Sequence, residues 1–377
     1  MINVIDFYKS LKSNGVEFFT GVPDSLLKDI CGYISDITPK NDHIITANEG
    51  GAIGLAIGHH MATGKTPLIY MQNSGLGNSI NPLLSLADPD VYSIPMILLV
   101  GWRGEPGVKD EPQHVKQGRI HSDLIEAMDI PHFTISADSE YEKKINDAVA
   151  LAEERSCPVI LSIKKGSFEK YSIKKIVKTD YELTREQAVK NIVNLIDDDI
   201  VVSTTGKTSR ELFEYRKEIG DSHNKDFLTV GGMGHANQIA LGIALAKPNK
   251  TVYCFDGDGA ILMHCGSMGI IGNKQPKNFK HIIFNNGAHD SVGGQPTIAL
   301  DIEIEKIALG FNYRKVFSAS CEAELNTKFN EFKVSNGPCL LEILVNKGAR
   351  KELGRPTISP KDNKKGFMKN LKNSYDE

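Results

Sequence analysis

Two short, oxygen-rich loops in the second half of the chain could together hold a metal ion. The first is Gly257-Asp258-Gly259, after the run VYCFD, and the second is Asn285-Asn286-Gly287, after HIIF. Glycine lets the backbone turn tightly and approach a ligand. A carboxylate, an amide oxygen and a backbone carbonyl form part of the octahedral shell that Mg²⁺ prefers, which phosphate oxygens and water complete. The pair therefore predicts a clamp for a metal-bound phosphate ester.

Each of these loops is also a good turn sequence by itself, so two unrelated turns are the alternative interpretation. Both loops, however, follow an apolar run, and they lie one strand-to-strand repeat apart along the chain. Their combination favours a site over two independent turns.

The elements that would position these loops occur twice along the chain. Apolar runs that end in small or polar residues lead into helix-like segments, first in the series VEFFTGVPDS, HIITANEGG and PLIYMQNSG, and again in IVVSTTGK, DFLTVGGMG and TVYCFDGDG. Continuous apolar runs that alternate with helices indicate buried parallel strands in βαβ units. We therefore predict an α/β fold of two similar domains, each a mostly parallel sheet flanked by helices, with ligands at the carboxyl ends of the strands.

The chain length agrees with two domains and leaves no room for a middle one. At roughly 100–200 residues per domain, 377 residues suggest two. We predict domains at 1–175 and 183–360, joined through the charged stretch KKIVKTDYEL, and a polar C-terminal tail at 361–377. The second domain should open with a helix at Thr184, where Gln187 is placed for a capping box.

Composition and charge exclude several classes of function. The formal net charge is -3, so nothing indicates a nucleic-acid surface or a polybasic membrane face. The N-terminus is interrupted by charges, and no apolar stretch approaches the ~20 residues of a membrane span. The six cysteines are scattered, and Cys254 and Cys265, with His264 between them, match no zinc module. Reduced thiols in a cytoplasmic protein are the expectation.

The two loops resemble the signature of the thiamine diphosphate (TPP)-dependent 2-oxo acid decarboxylase family, GDG followed after one helix by NN. In that family two domains of similar fold bind the pyrimidine and the diphosphate, which agrees with the repeat found here. The resemblance implies TPP and Mg²⁺ as cofactors, with Asp258, Asn286 and the carbonyl of Ala288 as metal ligands. It also implies cofactor contacts by Gly257, Gly259 and Ala260.

The same resemblance assigns a glutamate to the loop before a helix of the first domain, and Glu49 in TANEGGAIGLAIG occupies that position. Its neighbours are small and an apolar helix follows, so a carboxylate there should be poorly solvated. This suits a group that shares a proton with a ring nitrogen, which in the family favours the imino tautomer that removes the thiazolium C2 proton. By position alone, Glu49 could be a helix-start residue favoured by the helix dipole.

Two further loops are similar to cofactor loops of the family. VGGMGHANQ would place Met233 as an apolar wedge between the cofactor rings and the Gly231 carbonyl on the amino group, although Met233 could also be a core residue. TTGKTS would contact the cofactor through Gly206 and Thr208. It also resembles the end of a P-loop whose leading glycine is missing, so a nucleotide-binding ATPase or kinase is a rival enzyme class.

The specific substrate is suggested only by resemblance. Among compact members of the family, the chain is most similar to those that decarboxylate 3-phosphonopyruvate to phosphonoacetaldehyde and CO₂ in phosphonate biosynthesis. Members that act on sulfopyruvate follow, and a TPP synthase or ligase is a third possibility. The resemblance makes Asp24 and His114 candidates for proton transfer, with Asp290 another acidic group near the site. Candidate binders of the small anionic 2-oxo acid substrate are Ser25, Arg103, Lys207, His289 and Arg355.

The family arrangement also implies a homo-oligomer, since TPP lies there at subunit interfaces. A family-fold protein that binds TPP without turnover is the non-enzymatic alternative. Such a protein would be expected to lack the glutamate or a metal ligand, whereas Glu49, Asp258 and Asn286 are all present.

Overall fold

The computed structural model describes residues 1–175 and 179–373. Residues 176–178, inside the predicted join, and 374–377, at the end of the predicted tail, lie outside the described residues. The chain divides into two compact units. The first contains residues 1–175 together with Ser291–Gln295, and the second contains residues 179–290 and 296–373.

The first unit is a parallel sheet flanked by helices. Its strands are β1 (Phe19–Gly21), β2 (His43–Ile45), β3 (Leu68–Gln72), β4 (Met96–Gly101), β5 (His132–Ile135) and β6 (Pro158–Ile163). Its helices are α1 (Val4–Ser13), α2 (Lys28–Ile37), α3 (Glu49–Thr63), α4 (Leu76–Pro82), α5 (Pro112–Arg119), α6 (His121–Ala127) and α7 (Tyr141–Arg155). A 3₁₀ turn at Asn73–Gly75 precedes α4, and a π-helical turn at Leu83–Ala87 follows it.

The second unit has the same construction. Its strands are β7 (Ile200–Ser203), β8 (Asp226–Leu228), β9 (Val252–Gly257), β10 (Phe279–Asn285), β11 (Lys315–Ala319) and β12 (Cys339–Leu344). Its helices are α8 (Arg185–Leu195), α9 (Lys207–Glu218), α10 (Ala236–Ala246), α11 (Asp258–Met263), α12 (Gly266–Lys274), α13 (Ile304–Gly310), α14 (Glu322–Val334) and α15 (Pro360–Asn373), with a 3₁₀ turn at His223–Lys225. The described part of the predicted tail therefore forms α15.

The two sheets share one topology, which confirms the internal repeat and the predicted fold class. The strand order is β2-β1-β3-β4-β6-β5 in the first unit and β11-β12-β10-β9-β7-β8 in the second, and all strand pairs are parallel. Reading the second order backwards gives the first. The predicted capping box is also present, because Thr184 caps α8 and exchanges hydrogen bonds with Gln187.

Each sheet has an apolar core on both faces, which explains its unbroken apolar strands. Along β3, Leu68 and Tyr70 pack into one core, whereas Ile69 and Met71 pack into the other. Tyr253 and Cys254 of β9 divide in the same way. Strands that are buried on both sides carry polar groups chiefly at their ends, so the loops become the place for chemistry. In the part of the chain that the structure describes, no helix is both long and apolar enough to cross a membrane.

Candidate active site

Apart from Arg355, the predicted site residues follow four neighbouring strands of each sheet. In the second unit these are β8, β7, β9 and β10, and in the first unit β2, β1, β3 and β4. Because the strands are parallel, all four carboxyl ends of a unit meet at one edge of its sheet. Each unit thus gathers its own group of candidate residues at one edge.

Asp258 and Asn286 follow adjacent strands and lie side by side in the second unit. The register pairs Gly257 of β9 with Phe284 of β10, so the next residues of both strands form the two loops. Both side chains are buried, with only 3% of each exposed. Burial raises the pKa of Asp258 to about 6, and a hydrogen bond from Thr297 opposes the shift. A buried carboxylate of this kind is stabilised by a bound cation.

Thr297 ties the two loops together. Its hydroxyl donates to Oδ2 of Asp258 at 2.5 Å, and its backbone N–H donates to the carbonyl of Gly287 at 2.9 Å. Gly287 has φ +63°, and a side chain there would meet Leu300. The set of one carboxylate, one amide oxygen and the Ala288 carbonyl consists of hard oxygens, so the residues present fit Mg²⁺.

The Met233 loop packs against the start of α11. A methyl group at Gly259 would lie 3.3 Å from Cε of Met233 and 3.1 Å from Cε1 of His289, so both side chains border this glycine. Met233 is only partly buried. Gly231 precedes it, and Gly234, with φ +84°, fits closely against Ala260. A partly exposed methionine at a glycine-lined loop fits a cofactor wedge better than a core residue.

The loop after β7 contains a glycine turn and is followed by the partly buried ammonium group of Lys207. Gly206 has φ 97° and begins α9, and Thr208 is buried beside it. Burial lowers the pKa of Lys207, while Asp290 opposes the shift. Among residues 1–175 and 179–373, the Lys207 ammonium has no hydrogen-bond or ion-pair partner. An anion would stabilise this ammonium, and the N-terminus of a helix also favours anions.

Polar groups below the GDG loop hold it in place. Oδ1 of Asp256 accepts from the N–H of Gly257 at 3.0 Å, and its Oδ2 lies 3.5 Å from Nε2 of His281. The other ring nitrogen, Nδ1, contacts the hydroxyl of Tyr313 at 3.1 Å. The Sγ atom of Cys254, a residue considered above with His264 and Cys265, lies within 4.8 Å of polar side-chain atoms of Asp256 and His281, and all three residues are buried.

Glu49 is the first residue of α3 and is nearly buried in the first unit. Its Oε2 accepts from Nδ2 of Asn78 at 2.7 Å. A methyl group at Gly75 would lie 2.6 Å from Cγ and Oε1 of Glu49, so a glycine is needed there. Asn48 caps the helix by accepting from the N–H of Gly51 at 2.8 Å. Because Asn48 caps α3, Glu49 is left available for another partner.

A second group of the first unit connects the loops after β1, β3 and β4. Nη1 of Arg103 donates to Oγ of Ser25 at 2.6 Å, while Nε donates to Asp110 at 2.8 Å. The Arg103 carbonyl accepts from Asn73 at 2.8 Å. The guanidinium is therefore already bonded to protein groups. As a binder of a phosphonate, Arg103 would have to share these donors.

Asp24 is fully buried beside this group. Its Oδ2 accepts from the N–H of Leu26 at 2.8 Å, and its Oδ1 has no hydrogen-bond partner among the described residues. Any side chain at Gly101 would overlap the carboxylate. Burial raises the pKa of Asp24 to about 6 from an ordinary 3.8, although hydrogen bonding and Arg103 oppose the shift.

This raised pKa predicts that Asp24→Asn stabilises the protein at neutral pH. The stabilising contribution of Asp24 is present below pH 4 and is lost as the pH rises through about 6, since the folded state resists ionisation. At roughly 1.4 kcal/mol per pH unit, the variant should gain about 3 kcal/mol at pH 7 and almost nothing at pH 4. Urea unfolding at both pH values measures this. An equal change at both would contradict the assignment.

The remaining predicted residues differ in their surroundings. Burial lowers the pKa of His114 and of His289 to about 4 each, so both imidazoles are neutral at pH 7. Arg355 is exposed between β12 and α15. Neutral imidazoles can donate and accept hydrogen bonds, which suits proton transfer better than anion binding.

Several residues with functional contacts were not identified from the sequence. Thr297 and Asp110 lie in loops, and Arg185 and Glu211 lie on helices α8 and α9. A weak signal existed for Asp110, because an acidic residue seven positions after Arg103 in a glycine-rich loop is a natural partner. Thr297 offered no signal.

Two protein-family models match the chain. Residues 6–127 match the model described as "Thiamine pyrophosphate enzyme, N-terminal TPP binding domain". Residues 204–343 match "Thiamine pyrophosphate enzyme, C-terminal TPP binding domain". The matched segments contain the Glu49 loop in the first unit and the Asp258 and Asn286 loops in the second.

Full-length relatives are also found among characterised proteins. The chain is 33% identical to a phosphonopyruvate decarboxylase of Streptomyces viridochromogenes and 33% identical to one of Streptomyces hygroscopicus, each over 96% of this chain and 92% of the relative. A sulfopyruvate decarboxylase of Methanosarcina acetivorans is 28% identical over 96% of this chain and 95% of its own.

Proposed function

This chain belongs to the thiamine pyrophosphate enzymes, among the decarboxylases, and we propose that it converts 3-phosphonopyruvate into phosphonoacetaldehyde and CO₂ with TPP and Mg²⁺. The observation that supports the substrate most is the 33% identity, over nearly the whole chain, to two phosphonopyruvate decarboxylases. Family membership sets aside the nucleotide-binding alternative that TTGKTS had raised.

The residues of each unit have distinct tasks in this proposal. Bound TPP supplies a positively charged ring that accepts the electrons released with CO₂. Asp258, Asn286 and the carbonyl of Ala288 would hold the cation that binds its diphosphate, and Met233 would be the apolar side chain in contact with the cofactor rings. Glu49 would share a proton with the pyrimidine nitrogen, with Oε1 the available oxygen because Oε2 accepts from Asn78.

Groups near these residues could serve the substrate. A phosphonate is a compact anion and needs charged or N–H donors. Lys207 is the favoured candidate, because its ammonium is partly buried and would gain stability from an anion. Asp24, His114 and His289 are the candidates for proton transfer. Burial raises the pKa of Asp24 to about 6, near the neutral pH at which a proton-transfer group works best, and it keeps both imidazoles neutral at pH 7.

The proposal is tested by product formation with TPP and Mg²⁺ from three substrates run in parallel: phosphonopyruvate, sulfopyruvate and pyruvate. Release of CO₂ and phosphonoacetaldehyde, with a clear preference in kcat/KM over both other acids, is the expected result. Lys207→Ala should raise KM for phosphonopyruvate far more than for pyruvate, since pyruvate has no second anion. No turnover of any acid by TPP-loaded protein would contradict the proposal and revive a synthase or a non-enzymatic binder.

Sulfopyruvate is the second candidate substrate, supported by the Methanosarcina relative at 28% identity. A sulfonate carries one negative charge where a phosphonate carries up to two. The phosphonate gains a proton between pH 8 and pH 6, whereas the sulfonate does not. A preference for phosphonopyruvate over sulfopyruvate that falls over this pH range would indicate specificity for the phosphonate. A preference for sulfopyruvate at every pH would replace the proposed substrate and leave the reaction type unchanged.

We also propose a homo-oligomer of at least two chains, with a cytoplasmic location. Apolar side chains are exposed on α3 and α10, which begin at candidate site loops. They include Met61 at 68% and Leu245 at 51%, and a partner chain would cover them. Light scattering should give at least twice the chain mass. Dilution that dissociates the oligomer should abolish activity, and a fully active monomer would contradict the proposal. The six cysteines are all unpaired, as expected for a reducing compartment.

A further inference from the structure

The carboxylate of Asp290 receives three hydrogen bonds on a single oxygen, and one of them comes from a proposed metal ligand. Its Oδ2 accepts from Nδ2 of Asn286 at 2.9 Å, from Nη1 of Arg185 at 3.1 Å and from the N–H of Gly348 at 2.9 Å. The side chain of Asp290 is 7% exposed. Oδ2 of this aspartate is therefore occupied by three protein donors.

The contact with Asp290 fixes which end of the Asn286 amide faces which way. An ionised carboxylate only accepts hydrogen bonds, so the atom of Asn286 that faces it must be the amide nitrogen. The amide oxygen then points away from Asp290, where it accepts from the N–H of Ala288 at 3.0 Å. An oxygen has a second lone pair, which remains for a cation.

Arg185 and Glu211 hold Asp290 in this position. Two nitrogens of Arg185 donate to the two oxygens of Glu211, at 2.8 and 2.9 Å, and a third nitrogen reaches Asp290. Arg185 begins α8 and Glu211 lies in α9, so two helices brace the group. Arg185 is 5% exposed and Glu211 1% exposed. Buried guanidinium–carboxylate forks of this kind have a defined geometry.

We propose that Asp290 is a positioning residue that turns the amide oxygen of Asn286 toward the cation, with Arg185 and Glu211 as its support. This inference rests on the proposed cation site. Groups that orient a metal ligand typically contribute about 10- to 100-fold to metal affinity. Without Asp290, the Asn286 amide can rotate, and the cation would meet nitrogen in place of oxygen for part of the time.

The same unit offers a matched control for the loss of a buried carboxylate. Asp226 is fully buried and accepts from Nε and Nη2 of Arg216 at 3.1 and 3.2 Å. Arg216 keeps a second partner, Asp221, at 2.7 Å, just as Arg185 keeps Glu211. Asp226→Ala and Asp290→Ala therefore each remove one of the two carboxylates that a buried arginine contacts, but only Asp290 contacts Asn286.

The experiment measures bound TPP by equilibrium dialysis at a series of Mg²⁺ concentrations, together with the thermal midpoint of the cofactor-free protein. Asp290→Ala is expected to raise the half-saturating Mg²⁺ concentration by about 10- to 100-fold. Asp226→Ala should lower the thermal midpoint at least as much as Asp290→Ala does. It should change the half-saturating Mg²⁺ concentration by less than about twofold. Asp290→Asn should recover part of the loss, because its carbonyl oxygen has two lone pairs and can still accept from Asn286 and from one further donor.

Two results would overturn the inference. One is a half-saturating Mg²⁺ concentration that is the same for Asp290→Ala and Asp226→Ala, since weaker binding would then follow from lost stability. The other is an Asp290→Asn variant as impaired as Asp290→Ala, since charge and not amide orientation would then be responsible. If Asp290→Ala does not fold, Arg185→Lys, which keeps the charge but cannot make all three bonds, must still raise half-saturation severalfold.

The proposed function can fail separately. A wild-type protein that binds TPP with Mg²⁺ but does not act on phosphonopyruvate removes the substrate assignment and leaves the role of Asp290 standing. Binding of TPP that needs no divalent cation would remove the cation site and the role of Asp290 together.

Discussion

Asp258→Ala is expected to abolish retention of TPP. The buried Asp258 carboxylate is the one charged protein ligand proposed for the cation, and alanine leaves the protein only neutral oxygens from Asn286 and Ala288. Neutral oxygens alone hold Mg²⁺ poorly against water. The apparent affinity for TPP at a fixed Mg²⁺ concentration should therefore fall by more than the roughly 100-fold upper range of an orienting residue. Equilibrium dialysis with labelled TPP, at 1–10 times the wild-type half-saturating concentration of Mg²⁺, measures the loss.

Thr297→Val is the control for Asp258→Ala, since it keeps the carboxylate and removes the hydroxyl that donates to it. Valine has the shape of threonine, so the loop between Gly287 and Thr297 should persist through the backbone hydrogen bond. Binding of TPP should weaken only severalfold in this variant. Wild-type affinity in Asp258→Ala would reject the metal clamp, and equal losses in both variants would assign the effect to the loop rather than to the ligand.

The sequence predicted those features of the fold that depend on burial along the chain. Runs such as IPMILLVG and HIIF indicated strands covered on both faces, and the structure confirms two parallel six-stranded sheets of one topology. The capping box at Thr184 was predicted because both partners lie within one turn of helix. Local patterns suffice when the interacting groups are close in sequence.

The contacts that position the site could not be predicted, because they join residues far apart along the chain. Asp290 meets Arg185 across 105 positions, and Thr297 meets Asp258 across 39. Neither pair leaves a periodic signal, since a partner in the fold is selected by strand order and loop path. Arg103 shows the consequence. As a cation in a glycine-rich loop it looked available for a phosphonate, whereas the structure pairs it with Asp110 and Ser25.

Glu49→Gln is expected to retain TPP and to lose turnover. Glutamine has the shape of glutamate and can accept the hydrogen bond from Asn78, so α3 and the space against Gly75 should be preserved. It cannot exchange a proton with the pyrimidine nitrogen. Removing a proton-transfer group costs about 10²- to 10⁴-fold in rate, so kcat should fall by that factor while TPP affinity changes only severalfold. Single-turnover assays with preloaded TPP measure the rate apart from cofactor binding.

Asn78→Ala separates the proton-transfer role of Glu49 from its placement. It removes the hydrogen bond on Oε2 but keeps the carboxylate, so the rate should fall by about tenfold, between wild type and Glu49→Gln. Exchange of the TPP C2 proton with deuterium, followed by NMR, is the direct readout, because it reports the step that Glu49 promotes even when no substrate is present. Slow exchange in Glu49→Gln with bound TPP assigns that step to Glu49. Wild-type exchange in that variant would reject the assignment and move the search for the proton carrier to Asp24 and His114, the other two proton-transfer candidates of the first unit.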